Sequence, residues 1–291
     1  MLNISRITDF KTLSRSISLV ENEAEGFEDI RLSLKPGNIP VIGFTGPPGA
    51  GKSSLINALV GNLLEQGKKL GLILVDPTSP FNFGALLGDR LRLSSHFNHP
   101  NLFIRSLASR GSLGGLSDKI IEVLEVMKAF DFDYLFIETV GVGQGEVEIA
   151  GLADTTVVVL VPESGDSIQT MKAGLMEIAD IFVINKADRA DAETIANSLN
   201  AQLELSGKQT PVIKTVAVEA KGISELLQAL SAHHLSSANT ERKQLLLTEK
   251  ALRLIAKNRM KNFDVKALKE DIIRSFNAPG FNLYSFVKKY L

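Results

Sequence analysis

The octapeptide Gly46-Pro47-Pro48-Gly49-Ala50-Gly51-Lys52-Ser53 constrains this chain more than any other feature. It fits G-x-x-x-x-G-K-[ST], and it lies between an apolar run ending at Phe44 and a stretch from Ser54 in which Leu55, Leu59 and Leu63 recur at helical spacing. A glycine-rich loop held between a strand and a helix turns successive backbone N–H groups into one concavity. The helix N-terminus adds its partial positive charge. The octapeptide therefore predicts both a strand–loop–helix unit and a phosphate cradle. A chance match would arise in roughly one chain of this length in a hundred, and the flanking pattern lowers that further. In such a cradle Lys52 reaches the β- and γ-phosphates of a nucleotide and the Ser53 hydroxyl ligates Mg²⁺, with Ser54 closing the loop.

The rest of residues 1–230 repeats that alternation. Strands are predicted at Ile39–Thr45, Leu70–Val75, Leu102–Ser106, Tyr134–Glu138, Thr156–Val161, Ile181–Asn185 and Val212–Val216. Runs such as TVVVLV show no polar alternation, which suits strands covered on both faces in a parallel sheet. With helical patterns between them, the expected architecture is a doubly wound, mostly parallel α/β sheet. Strand signals stop near Gly222. Leu247, Ala251, Leu254 and Ile255, then Val265, Leu268, Ile272 and Phe276, follow helical spacing; Pro279-Gly280 interrupts it, and Leu283, Phe286, Val287 and Leu291 resume it. The expected organisation is an N-terminal helical segment over 1–36, a nucleotide-binding domain over 37–232 and a helical appendage over 233–291.

Asn185-Lys186-Ala187-Asp188 closes the run IFVIN. An N-K-x-D at a strand's C-terminal edge lies where doubly wound sheets bind ligands. The Asp188 carboxylate accepts hydrogen bonds only. Guanine offers it N1–H and the 2-amino group side by side. Adenine offers neither, so a buried carboxylate would be left unpaired at a cost of about 1–3 kcal/mol. The stem of Lys186 can lie over the base, and Asn185 can tie this turn to the phosphate loop. The stretch Thr215–Gly222 is expected to close over the base through backbone groups of Val216, Ala217 and Val218. Where such loops commonly carry serine, this chain has Val216.

Two acidic residues end strands beside the phosphate loop: Asp76 in LVDPTSP and Glu138 in FIETVGVGQ. Carboxylates so placed can hold the waters of an octahedral Mg²⁺. Glu138-Thr139-Val140-Gly141 has the shape of the D-x-x-G switch with Glu for Asp, and Gly141 N–H can bond a γ-phosphate. Asp89, in GALLGDR, is a further candidate for the metal or for catalysis. The histidine pair His96 and His99 has no acidic or cysteine neighbour in sequence and reads as surface or capping residues.

Six long segments then carry a resemblance: GFTGPPGAGKSSLINAL, VDPTSPFNFGALLGDRLRL, RSLASRGSLGGLS, ETVGVGQGEVEIAGLAD, VPESGDSIQTMKAG and INKAD. Together, from about Leu13 to Ser224, the chain resembles the MeaB/ArgK family of GTPases associated with methylmalonyl-CoA mutase. That resemblance implies GTP as substrate, GDP as product and Mg²⁺ as cofactor. It implies a switch that gates cofactor loading and protection of an adenosylcobalamin-dependent acyl-CoA mutase. It carries Lys52, Asp76, Asp89 and Glu138 over as the polar active-site set, Gly141–Val147 as the second switch and Pro162–Lys172 as a segment that signals to the mutase. It also implies a homodimer, with the appendage as its arm. The family's ArgK name carries an older reading, a kinase or ATPase linked to lysine, arginine and ornithine transport.

Composition removes other classes. The chain has no cysteine, which excludes disulfides and Cys-ligated metal sites, and it has no histidine tract. A metal-insertion GTPase of the same wider class is disfavoured on that ground but stays open. The formal net charge is −1, so no global basic field draws nucleic acid or anionic lipid. No apolar run approaches the ~18 residues of a membrane span, and no signal core opens the chain, so a cytoplasmic location is expected. Charge is uneven, however: residues 231–291 hold twelve Lys/Arg and five Asp/Glu, net +7, which leaves −8 for residues 1–230.

Overall fold

A computed structural model describes residues 7–35, 37–76, 95–108, 119–139, 148–164, 173–236, 240–277 and 280–290. Seven strands form one sheet: β1 (Val41–Thr45), β2 (Leu70–Asp76), β3 (Leu102–Ala108), β4 (Tyr134–Glu138), β5 (Thr155–Leu160), β6 (Ile181–Ile184) and β7 (Val212–Lys214). Every pairing among them is parallel, in the order β3-β2-β4-β1-β5-β6-β7. The expected parallel sheet is thus present, and each strand lies within two residues of its expected bounds. The first strand starts at Val41 because Pro40 has no N–H to give the ladder; its carbonyl still accepts from Leu135 N at 2.9 Å.

Alternate residues of the central strands enter different layers. Val157 and Val159 join Phe44, Phe136 and Leu55, Leu59 and Leu63 of α3 (Lys52–Glu65), together with Leu226 and Leu230 of α7 (Ile223–Ser236). Val158 and Leu160 face the other way, onto Leu175 of α5 (Ala173–Ile178) and Leu199 and Leu203 of α6 (Ala192–Leu205). Strands β1, β5 and β6 are buried at every position. Helices on both faces leave no wet side, which is why these runs contain no polar alternation.

The N-terminal segment is built into this body. Helix α1 (Phe10–Glu21) is capped by Asp9, whose carboxylate accepts from Thr12 N at 2.9 Å, and it packs on α4 (Ile120–Lys128). Phe10 meets Phe103, Phe130 and Phe132 with ring centroids 5.2–6.1 Å apart. A short α2 (Phe27–Ser33) follows.

The chain divides into two compact units, Met1–Gln244 and Leu245–Leu291. The boundary expected at 232/233 falls inside α7. The polar stretch SAHHLSSANT reads as loop, yet Ser231–Ser236 continues the helix, and His233 packs inward: its Nδ1 lies 2.8 Å from Thr155 Oγ1 and its Nε2 3.4 Å from Asp180 Oδ1. The second unit contains most of α8 (Thr240–Met260), then α9 (Val265–Phe276) and α10 (Leu283–Val287), the helices that its apolar spacing predicts. Within it Tyr290 Oη donates to Asp271 Oδ2 at 2.5 Å, and Phe286 is buried. Leu252, Ile255, Val265, Ile273 and Phe276 remain at least half exposed. Among the described residues, no helix is long and apolar enough to cross a membrane.

Candidate nucleotide-binding site

The octapeptide rises from the C-terminal end of β1, at the centre of the sheet, and runs into α3. Two glycines are structurally required. Gly46 has φ +134°, and a Cβ there would sit 2.1 Å from the Val159 carbonyl oxygen of neighbouring β5. Gly51 has φ +84° at the N-cap of α3, and its Cβ would sit 2.3 Å from Asn185 Nδ2. Positive φ at both positions, with crowding from the Val159 backbone at one and the Asn185 side chain at the other, thus dictates these glycines, and the resulting loop curls around the helix N-terminus.

Lys52 is buried and folds back over the loop, donating to the carbonyls of Gly46 at 2.7 Å and Pro47 at 3.1 Å. Ser53 donates through Oγ to Glu138 Oε1 at 2.6 Å, and both residues are buried. The end of β4 thereby reaches the first turn of α3, as its position next to β1 requires. Thr139 follows, with its N and Oγ1 both directed at Phe44 O, at 3.2 and 3.3 Å. Two oxygen ligands in contact, a hydroxyl and a carboxylate, are the hard donors that suit Mg²⁺. Asp76 is the last residue of β2, one strand beyond β4. Asp89 and Gly141, with the rest of the expected second switch, lie outside the described residues. Of Pro162–Lys172, the turn Pro162–Ser164 is described and the remainder is not.

Asn185 joins three loops. It is 2% exposed; its Nδ2 donates to Ala50 O at 3.0 Å, and its Oδ1 accepts from Thr215 Oγ1 and from Ala217 N, each at 3.1 Å. Lys186 adopts φ +57° and donates through Nζ to Gly49 O at 2.9 Å. That left-handed backbone costs about 1–3 kcal/mol and persists only where surrounding contacts fix it. Here they are the Lys186 bond and Ala187 N to Thr215 O at 3.0 Å. Asp188 then stands exposed at the tip of the turn.

The loop after β7 closes on itself. Val216 N donates to Lys221 O at 3.1 Å and Lys221 N to Val216 O at 3.2 Å, which turns Ala217–Ala220 over the sheet edge. Val216 is buried, which explains why an apolar side chain is accepted where serine is common; Val218 is exposed. The N–H groups of Val216 and Ala217 are both engaged within the protein. Thr215 is the member of this array that sequence reasoning gave no role. Its only advance signal is its place between a strand and the base loop. His96 lines a cleft with Ser54, Ala217 and Val218, while His99 Nδ1 accepts from Asn101 N at 3.2 Å, as a capping residue does.

A phosphate loop, a hydroxyl–carboxylate pair and an N-K-x-D turn on one edge of a parallel sheet define a P-loop nucleotide hydrolase of the GTPase type. Residues 13–269 match the family described as Methylmalonyl Co-A mutase-associated GTPase MeaB, and the chain belongs to that family. A Pyrococcus abyssi relative is 49% identical over 234 residues, 77% of this chain and 72% of its own. The Escherichia coli GTPase ArgK is 34% identical over 233 residues, 75% of this chain and 70% of its own. A protein of Geobacillus kaustophilus named Fused isobutyryl-CoA mutase is 36% identical over 230 residues, 72% of this chain but 21% of its own length. Among solved structures, that of an LAO/AO transport system kinase superposes with a TM-score of 0.67 over 96% of this chain and 91% of its own; at 24% identity it speaks to the fold alone. The chain is a GTP hydrolase.

Proposed function

We propose that this GTPase gates the loading and protection of adenosylcobalamin in an acyl-CoA mutase of the methylmalonyl-CoA mutase type. The observation that carries the reading is the family match over 13–269, which the mutase-fused relative supports: there a homologous segment is part of a polypeptide named as a mutase.

The site residues take these roles in the proposal. Asp188 accepts from guanine N1–H and the 2-amino group, and the Lys186 stem covers one face of the base. The loop Val216-Ala217-Val218 borders its other edge. Backbone N–H groups of Gly46–Ser54 surround the phosphates. Lys52 swings from the carbonyls of Gly46 and Pro47 to the β- and γ-phosphate oxygens. Ser53, with Glu138, Asp76 and Asp89, would hold Mg²⁺; when bound, the ion neutralises charge on the β,γ-bridging region and on the γ-phosphoryl group. Water attacks the γ-phosphorus, the bond to the bridging oxygen breaks, and GDP and phosphate leave. Asp89 or Glu138 orients that water, and Gly141 N–H holds the γ-phosphate until hydrolysis.

We also place the protein in the cytoplasm as a homodimer. The half-exposed apolar residues of α8 and α9 support the dimer, since a second copy would cover surface that a monomer leaves wet. Sedimentation of the full chain tests it; a 31.6 kDa species at micromolar concentration, with and without GTP, overturns it.

The test of the mutase role uses the purified chain and an adenosylcobalamin-dependent acyl-CoA mutase from the same cell. Uptake of adenosylcobalamin by apo-mutase is followed by its visible absorption with GTP, with GDP and without the chain. Nucleotide-dependent uptake is expected. Identical uptake in all three arms, with no complex at micromolar concentration, overturns the role and leaves the GTPase assignment intact.

A further inference from the structure

We infer that Glu163 and Glu219 hold Arg189 and Lys221, the two cations that flank Asp188, away from its carboxylate, so that it stays open to the donor edge of a base. The inference rests on the guanine reading proposed above.

The geometry comes from two loops. Arg189 follows Asp188 directly, in a turn closed by Arg189 N donating to Lys186 O at 3.0 Å. An arginine one residue from an exposed aspartate can fold onto it. Instead its guanidinium is ion-paired with Glu163, in the turn Pro162–Ser164 after β5. That turn is within reach because β5 and β6 are neighbours, with Asn185 N donating to Leu160 O at 2.8 Å. In the base loop, Lys221 is fixed by its reciprocal backbone bonds with Val216. Its Nζ lies 2.6 Å from Glu219 Oε2, two residues away across the tight turn. Among the described residues, neither cation is paired with Asp188.

Lys221 is near enough to feel the aspartate. Its ammonium is held above the ordinary lysine value, first by the hydrogen bond it donates to Glu219 and that residue's charge, and in smaller part by the negative charge of Asp188. A cation so placed would serve Asp188 badly if released. Guanine needs both carboxylate oxygens, and an ammonium or guanidinium seated on them would have to be displaced at each binding event. With the two glutamates in place, neither cation occupies the acceptors of Asp188. The sequence gives no hint of this, because Glu163 and Arg189 belong to different loops 26 positions apart, with one of the strands between them.

The experiment titrates GTP by calorimetry into the full chain and its variants. Glu219→Gln is expected to weaken GTP about two- to fivefold, the scale of an exposed ion pair. Adding Lys221→Met to it should restore the parent affinity. Glu163→Gln should behave likewise, with Arg189→Met as its rescue. In an Asp188→Asn background neither glutamate change should matter, and near 1 M salt the losses should shrink as screening shortens to about 3 Å. Two results overturn the inference. One is parent-like GTP affinity in both glutamate variants. The other is a loss that persists after the cation is also removed, which would make the glutamates simple loop struts. Equal affinity of the parent chain for GTP and ATP would instead overturn the guanine reading, and the inference with it.

Discussion

Replacing Asn185 with alanine is the perturbation that most directly tests how the site is held together. The side chain is 2% exposed and makes three bonds, to Ala50 O and from Thr215 Oγ1 and Ala217 N. Alanine strands all three partners. Leaving a buried donor or acceptor unsatisfied costs about 1–3 kcal/mol, so the two backbone groups alone give about 2–6 kcal/mol. A water admitted into the vacated volume would bring the cost toward the lower end of that range. We expect about 3 kcal/mol of lost stability in the nucleotide-free chain, or about 6–12 °C in melting temperature for a unit of this size. GTP affinity should fall by at least about tenfold, because the phosphate loop and both base-side loops lose their common anchor. Thermal unfolding without nucleotide and a GTP titration measure the two effects separately. Asn185→Asp serves as the partner variant: it keeps both acceptor contacts but sets an oxygen against the Ala50 carbonyl, so it should also weaken GTP. A loss below about 1 kcal/mol with parent-like GTP binding would refute the idea that this amide anchors the three loops.

Asp188→Asn should weaken GTP and strengthen xanthosine triphosphate, whose C2 oxygen accepts from the new amide; competition binding with the two nucleotides checks it. Gly46→Ala should abolish nucleotide binding or folding, since its Cβ would lie 2.1 Å from backbone at Val159 and neither atom can give way. Gly61→Ala is expected to do the opposite, because its Cβ would meet the His96 ring at an ordinary 3.5 Å. It should raise stability by about 0.5–1 kcal/mol through helix propensity, read by urea unfolding. GTP turnover by the chain alone should be slow and should rise when the cognate mutase is added; a fast enzyme indifferent to every partner would count against the proposed role.

The fold was largely legible because its signals are local. Strands β1, β5 and β6 are buried on both faces, and runs such as VIGFT and TVVVLV announce it without any tertiary knowledge. The glycines of the phosphate loop were legible from the motif itself; the contacts that exclude a side chain at Gly46 and Gly51, with Val159 and Asn185, come from distant parts of the chain. What was not legible depends on neighbours that only the completed sheet provides. The continuation of α7 through Ser236 reflects His233 meeting Thr155 and Asp180, residues over fifty positions earlier. The Ser53–Glu138 bond was foreseeable as shared proximity to a metal, not as a direct contact. The base loop's use of Val216 and Ala217 N–H groups within the protein required knowing that Lys221 and Asn185 face them.

The Asn185–Ala50 contact also bears on how the chain comes to be functional during synthesis. Its two ends are 135 residues apart, and the third partner, Ala217, is 32 residues further on. No local segment can pre-form such a cradle; β1, β5 and β6 must dock in parallel register first, and parallel pairing of this kind is slow because long loops close before any contact rewards them. A nascent chain leaves the ribosome with its glycine-rich loop early and its clasp late. Until Val159 has emerged the loop has no wall to shape it, until Asn185 has emerged it has no amide to rest on, and until Ala217 has emerged that amide lacks its last partner. Tight GTP capture is then a certificate of completed folding. Nucleotide at cellular excess would draw each newly closed molecule toward the native state by mass action, and half-made chains would be left without that support.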